Sequence, residues 1–250
     1  MDHETAQGLR EAIFQRKSVR KYLRESCPEE VLASLAEQFE AAVSPDPGER
    51  AALRALSGDR VRGFGASAPN YLALYAAPEP DALVCAAFRL QQVSLWLSMS
   101  GYGNCWMGMA KPVAEMCEAD GLPCAIALAF GRPSEPIDRR PGEFKRKPLA
   151  KITDIAGRDR LLEPVRLAPS AINRQPWFLA ERNGHIRLYA RTSGLVQKIL
   201  GNTARIDLGI ALCHLWIAMI SEDCFGGFVK EAPAEPAPRG CEYVWSARMK

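Results

Sequence analysis

The sequence predicts an α+β protein built of two related halves, and three observations carry that prediction. Short apolar runs of strand length, at 71–76, 124–130 and 186–190, alternate with longer segments of helical character. Two of those segments, Asp81 to Ser100 and Ile206 to Ile220, are apolar on most faces and so predict buried helices. The pattern also partly repeats: Leu72-Ala73-Leu74-Tyr75-Ala76 is echoed by Ile186-Arg187-Leu188-Tyr189-Ala190, the first apolar helix by the second, and Cys105-Trp106-Met107-Gly108 by Cys224-Phe225-Gly226-Gly227. A duplicated fold follows, divided at 1–150 and 151–250.

In chain order, Leu9, Ile13 and Phe14 predict an amphipathic helix over residues 1–16 that leads into a basic motif. Pro28-Glu29-Glu30 starts a second helix, with Pro at a first-turn position and acids near the positive end of the dipole; it stops near Ser44-Pro45-Asp46-Pro47-Gly48. Glu49 to Arg62 predicts a third helix, broken by Gly63-Phe64-Gly65, and Lys111 to Ala119 a short one. Residues 131–148 read as an irregular basic connector and Arg158 to Leu167 as a charged helix. A loop from Ala168 to Trp177 then leads into a strand.

Composition narrows the function. With 250 residues, 48% of them hydrophobic, the chain can bury a large core. Its net charge of +3 gives no large field of one sign, so neither nucleic acid nor an anionic membrane surface is indicated. Eight scattered cysteines form no C-x-x-C pair, no signal segment opens the chain, and no uninterrupted apolar stretch approaches the roughly 20 residues a bilayer requires; a reduced, cytoplasmic protein is expected. Three dispersed histidines are too few for a zinc or di-iron constellation, and His214, inside an apolar helix, reads as a core residue. Gly101-Tyr102-Gly103 lacks the third glycine of a dinucleotide fingerprint.

Two stretches stand out as candidate binding elements. In A-P-S-A-I-N-R-Q-P-W at 168–177, Pro169 and Pro176 keep the loop extended and leave Ser170, Asn173 and Gln175 to present side chains or bare N–H groups, which suits a polar planar ligand. The alternative is a loop whose Ser and Asn cap their own backbone. The second stretch is Arg16-Lys17-Ser18-Val19-Arg20-Lys21-Tyr22, whose guanidinium groups and hydroxyl could hold an anion; the alternative for Arg20 is a structural ion pair.

Together, Pro-Ser-Ala-x-Asn-x-Gln-Pro-Trp and the Arg-Lys-Ser-Val-Arg-Lys-Tyr motif resemble the FMN-dependent nitroreductase family, as do Gly103-Asn104-Cys105-Trp106-Met107-Gly108 and the strand ending in Gly131-Arg132-Pro133. The resemblance implies antiparallel-rich sheets flanked by helices. It also implies an FMN between two subunits, its phosphate held by one and the Pro-Ser loop supplied by the other. Here the loop follows both the arginine motif and the long helix, whereas in the usual subunit it lies between them. The first half carries only Ser44-Pro45-Asp46 where the loop would stand, and the second half has the loop without the arginine motif. One chain would thus form a pseudo-dimer, a monomer or a loose homodimer, with one flavin.

On that resemblance, Arg16, Lys17, Ser18 and Arg20 would hold the FMN phosphate together with one or more of Lys145, Arg146 and Lys147. Pro169, Ser170, Ala171 and Asn173 would contact the ring and ribitol from the other half, and a backbone N–H of Met107 or Gly108 would face the pyrimidine side and N5. No protein nucleophile is required; Cys105 has no neighbouring His in sequence. The implied activity is transfer of electrons from NADH or NADPH through FMN to a nitroaromatic, quinone or similar small planar acceptor. Two alternatives stay open: a catalytically silent flavin- or ligand-binding module, and a specialised flavin reaction.

Overall fold

The computed structural model of the chain describes residues 1–63, 67–192, 203–230 and 235–250. Helix α1 (His3–Gln15) is capped by the Asp2 side chain on the Thr5 N–H and buries Ala6, Leu9, Ala12 and Ile13; α2 (Glu29–Ala41) follows Pro28. Next comes β1 (Ala51–Ser57), a turn of 3-10 helix and β2 (Val61–Gly63), where the sequence predicted a helix over 49–62. Ala-Ala-Leu-Arg-Ala-Leu favours helix locally, but Ala51 to Ser57 pair residue for residue with Ala76 to Asn70 of β3 (Asn70–Ala76), so tertiary pairing overrides propensity. Phe64 and Gly65 of the predicted break lie outside the described residues.

The apolar helix α3 (Pro80–Met99) leads to β4 (Gly103–Met107) and β5 (Ala110–Pro112). Instead of the helix predicted over 111–119, the chain forms β5, a 3-10 turn and β6 (Glu118–Ala119). Pro112 disfavours the α conformation at Lys111, and β5 pairs with β2. Asp120 and Gly121, both at positive φ, then turn the chain into β7 (Leu122–Gly131) as a tight hairpin. The second half runs through α4 (Asp159–Arg166), β8 (Trp177–Arg182), β9 (His185–Arg191), α5 (Thr203–Ser221), β10 (Phe225–Val229) and β11 (Cys241–Met249).

These strands form two antiparallel sheets of the same design. The first has the order β1-β3-β7-β4 with β6 added beside β7, and the second the order β8-β9-β11-β10. In each, a helix precedes the first strand, and the long helix joins the second strand to the strand at the far edge. The two long helices pack on each other, so closely that a Cβ on Gly209 of α5 would lie 2.2 Å from the Val84 carbonyl oxygen of α3. One apolar core of buried residues runs through both halves, from Leu9 and Leu83 to Leu212 and Trp245.

α3 and α5 are each long and apolar enough to cross a membrane by length and composition, a property the reading of uninterrupted apolar runs did not register. In both, 83% of the apolar window is buried inside the fold, as expected of core helices. At their contact His214 is fully buried. Its Nδ1 lies 2.8 Å from the Pro164 carbonyl oxygen and must therefore carry the hydrogen, which leaves Nε2 to accept from the Gln91 amide nitrogen at 2.9 Å. Gln91 Oε1 in turn accepts from the Trp106 indole at 3.1 Å. Burial holds His214 neutral, pushing it down to about 3.

Candidate functional site

The N-terminal motif reaches the site because it is laid along the edge of β4. Val19 N–H donates to the Asn104 carbonyl at 3.0 Å, Ser18 and Asn104 form a parallel bridge, and the bare Cα of Gly103 lets Val19 approach. Asn104, itself buried, is fixed by the Ser94 hydroxyl at 2.8 Å and the Ser94 carbonyl at 2.9 Å. This seam sets Ser18 and Arg20 beside Cys105, Trp106, Met107 and Gly108, along a cavity of about 460 Å³.

The other wall comes from the second half. Pro169, Ser170, Ala171 and Ile172 line the same cavity, with Ile206, Asp207 and Ile210 of α5 behind them. The loop backbone is strained: Ile172, Asn173 and Gln175 have φ of 45°, 59° and 49°, and a β-branched residue in that region is an outlier that its surroundings must impose. They do so through many bonds. Ser170 Oγ accepts from the Gln175 N–H at 2.9 Å, and the buried Gln175 side chain joins the Lys147 N–H at 2.8 Å to the Asn173 carbonyl at 2.9 Å. Asn173 donates to the Lys145 carbonyl at 2.6 Å and accepts from Arg146 at 2.7 Å. Ala171 N–H donates to both oxygens of Asp207, at 3.0 and 3.1 Å. Held this way, Ile172 is 75% exposed and shares the cavity mouth with Met109, 64% exposed.

Further cationic groups gather behind Ser18, outside the lining of this cavity. Arg16, 4% exposed, reaches Ser18 Oγ at 3.5 Å and feels the charges of Arg146 and Arg139; its buried Nε has no hydrogen-bond partner, and neither has that of Arg146. Burial, with like charges nearby, pushes both guanidinium groups down to about 10. No carboxylate pairs with either among the described residues, so the cluster has the chemistry of an anion site. Cys105 is buried and its thiol is pushed up by burial, which leaves no thiolate for nucleophilic work at neutral pH.

Of the residues singled out in the sequence, Ser18, Arg20, Met107, Gly108, Pro169, Ser170 and Ala171 face one cavity from both halves. Arg16 and Lys17 instead line a second cavity, of about 410 Å³, on the α1 side of the motif. Asn173 lies outside the cavity lining and clamps Lys145 and Arg146; Lys145 is exposed, and the Lys147 ammonium binds the Arg174 and Gln175 carbonyls.

A sequence profile of the "Putative TM nitroreductase" family matches residues 8–219. The chain belongs to this family. A solved structure of a putative nitroreductase from Thermotoga maritima is similar in fold, with a TM-score of 0.67 and 23% identity over 96% of this chain and 93% of that one. A nitroreductase from Desulfitobacterium hafniense, solved with bound FMN, aligns at a TM-score of 0.46 and 16% identity over 59% of this chain and 98% of that one. An FMN-dependent nitroreductase from Clostridium difficile aligns at 0.42 and 14% over 52% and 88%. No curated protein matches the chain.

Within the nitroreductase fold of this chain, the residue that sequence reasoning missed is Asp207. It is 4% exposed, and burial pushes its carboxyl up to about 8, against the bond from Ala171 and the charge of Arg174. Its signal was the single acid in a helix segment, Ile206 to Ile220, that is apolar but for it and His214.

Proposed function

We propose that this protein is an oxidoreductase that binds one FMN in the cavity between its two halves and uses NADH or NADPH to reduce a small planar acceptor such as a quinone or nitroaromatic. The observation that carries the reading is the convergence of Ser18, Arg20, Met107 and Gly108 from the first half with Pro169 to Ala171 from the second around one cavity. Membership of a nitroreductase family supports oxidoreductase chemistry. Ser18 and Arg20 at the cavity fit a phosphate, with the buried charge of Arg16 behind Ser18, and the apolar mouth at Met109 and Ile172 fits an aromatic acceptor. FMN, when bound, supplies the electron transfer; the chain orients it and keeps water from its face.

The matching strand orders of the two sheets support reading the chain as a pseudo-dimer of halves 1–150 and 151–250, with a monomer or loose homodimer in solution. Eight free cysteines, none in a disulfide, support a reduced, cytoplasmic setting. The test is spectroscopic. After FMN addition and desalting, the protein should retain flavin absorbance that NADH or NADPH bleaches without oxygen. Retained flavin that neither nucleotide bleaches would leave a binding module, and no retained flavin would refute the reading.

A further inference from the structure

Asp207 is not needed to hold α5 in place, since the helix is already packed by apolar residues on most faces. Yet a carboxylic acid stands in its first two turns, on the cavity wall, and the other half shows what a purely structural residue would look like there. Counted back from the helix ends, Met99 and Ser221, Cys85 of α3 and Asp207 of α5 stand at the same position. Each faces the loop before its half's first strand: Cys85 meets Ser44 and Asp46, and Asp207 meets Ala171. A small thiol suffices where the loop is degenerate, and the ionisable group stands where the cavity is formed.

Among the described residues the carboxyl has one donor, the Ala171 N–H, which it meets with both oxygens. The titratable and charged groups about it are Arg174 from the loop, exposed Arg20 across the cavity and the Cys105 thiol of β4, while Arg205 on its own helix is paired with Glu242. A planar heteroaromatic ligand filling the cavity strips the remaining water from this carboxyl and presents ring carbonyls and nitrogens, which are hydrogen-bond acceptors. A carboxylate would oppose such a face, whereas a carboxylic acid would donate to it.

Resting on the flavin reading above, we propose that Asp207 is a proton-bearing positioning residue: in its protonated form it donates a hydrogen bond to an acceptor atom of the bound ring, so that FMN binding above neutral pH takes up one proton at Asp207. Burial already pushes this carboxyl up to about 8, which places the coupling above the second ionisation of a phosphate monoester, near pH 6.

The experiment is FMN binding, followed by flavin fluorescence from pH 7 to 9.5, with proton uptake read by an indicator dye in weakly buffered solution. In the wild type, Kd should be level near pH 7 and rise by up to about tenfold per pH unit above pH 8, with matching proton uptake. Asp207→Asn keeps an acceptor for Ala171 and should give a flat profile without uptake, its fold checked by circular dichroism. Arg174→Gln, which keeps the carboxyl but removes the charge that favours its ionised form, should move the midpoint to higher pH. FMN binding that is pH-independent in the wild type, or a pH dependence that survives Asp207→Asn, would overturn the role of Asp207 while leaving the flavin site standing. No FMN binding by the wild type would overturn both.

Discussion

Single side chains set the pH behaviour of this protein, and two buried groups pull in opposite directions. His214 has a folded value depressed to about 3, below the ordinary 6.5, so the unfolded chain binds more protons between those limits. Its contribution is therefore present above about pH 6.5 and is lost as pH falls, by up to about 1.4 kcal/mol per pH unit. Asp207 has a folded value raised to about 8, so the folded chain holds its proton longer, and stability falls as pH rises from about 4 to 8. Urea unfolding of Asp207→Asn without ligand should show a stability gain over the wild type that grows through that window and levels above it. A gain independent of pH would mean that the carboxyl does not titrate in the fold. Arg16 gives a second prediction. Its guanidinium is buried without a carboxylate, so Arg16→Met should leave the ligand-free melting temperature unchanged or higher while weakening FMN binding at least tenfold; a variant that binds FMN as the wild type does would free Arg16 from the phosphate.

Among the elements, α1, α3, α5 and the strands β3, β7 and β9 were legible in the sequence through a one-face or all-face apolar pattern, α2 through its Pro28-Glu29-Glu30 start and α4 as a charged helix. What misled were two segments of helix-favouring composition whose strand partners lie elsewhere in the chain. Ala51 to Ser57 favours helix until β3 is beside it, and Lys111 to Ala119 is governed by Pro112 and by pairing with β2. The Asp120-Gly121 and Asn183-Gly184 dipeptides, both at positive φ, were signals for tight hairpins and would have corrected the first half's reading. In the site, the two motifs could be read because their residues are contiguous. Asp207 could not be paired with Ala171 without knowing that α5 runs behind the loop. The seam between the motif and β4 can be tested at Gly103, where a Cβ would sit 2.7 Å from a Val19 methyl. Gly103→Ala should cost about 1–3 kcal/mol and weaken FMN binding as Ser18 and Arg20 move; Val19→Gly in the same chain should recover part of the FMN binding, since the obstacle is the Val19 side chain from its Cβ outward. At the helix crossing the obstacle is the Val84 carbonyl, so Gly209→Ala should cost at least as much, with no rescue from trimming Ala87 or Phe88.

At the scale of the whole molecule, the proposed pseudo-dimer with one site lost predicts a stoichiometry. The two sheets have the same strand order, and each half contributes a long helix to the central pair, so an exact two-fold arrangement would carry two equivalent cavities. The formed cavity is lined by four pieces: Ser18 and Arg20 of the arginine motif, the wall from Cys105 to Gly108, Pro169 to Ile172 of the strained loop, and Asp207. The first two come from one half and the last two from the other. A second cavity would need the reverse set. The second half carries Cys224-Phe225-Gly226-Gly227 where the wall stands but no arginine motif, and the first half offers Ser44-Pro45-Asp46 and Cys85 in place of loop and acid. Titration of FMN against a known concentration of chain should therefore saturate at one flavin per chain. Substitutions on opposite sides should act on that same flavin: Ser18→Ala and Ser170→Ala should each weaken it, and the double variant should depart from additivity, since both residues border one cavity. Saturation at two flavins per chain would show the second cavity to be intact and would remove the argument from decay. Strict additivity of the two substitutions would instead place their effects on different ligands or different surfaces.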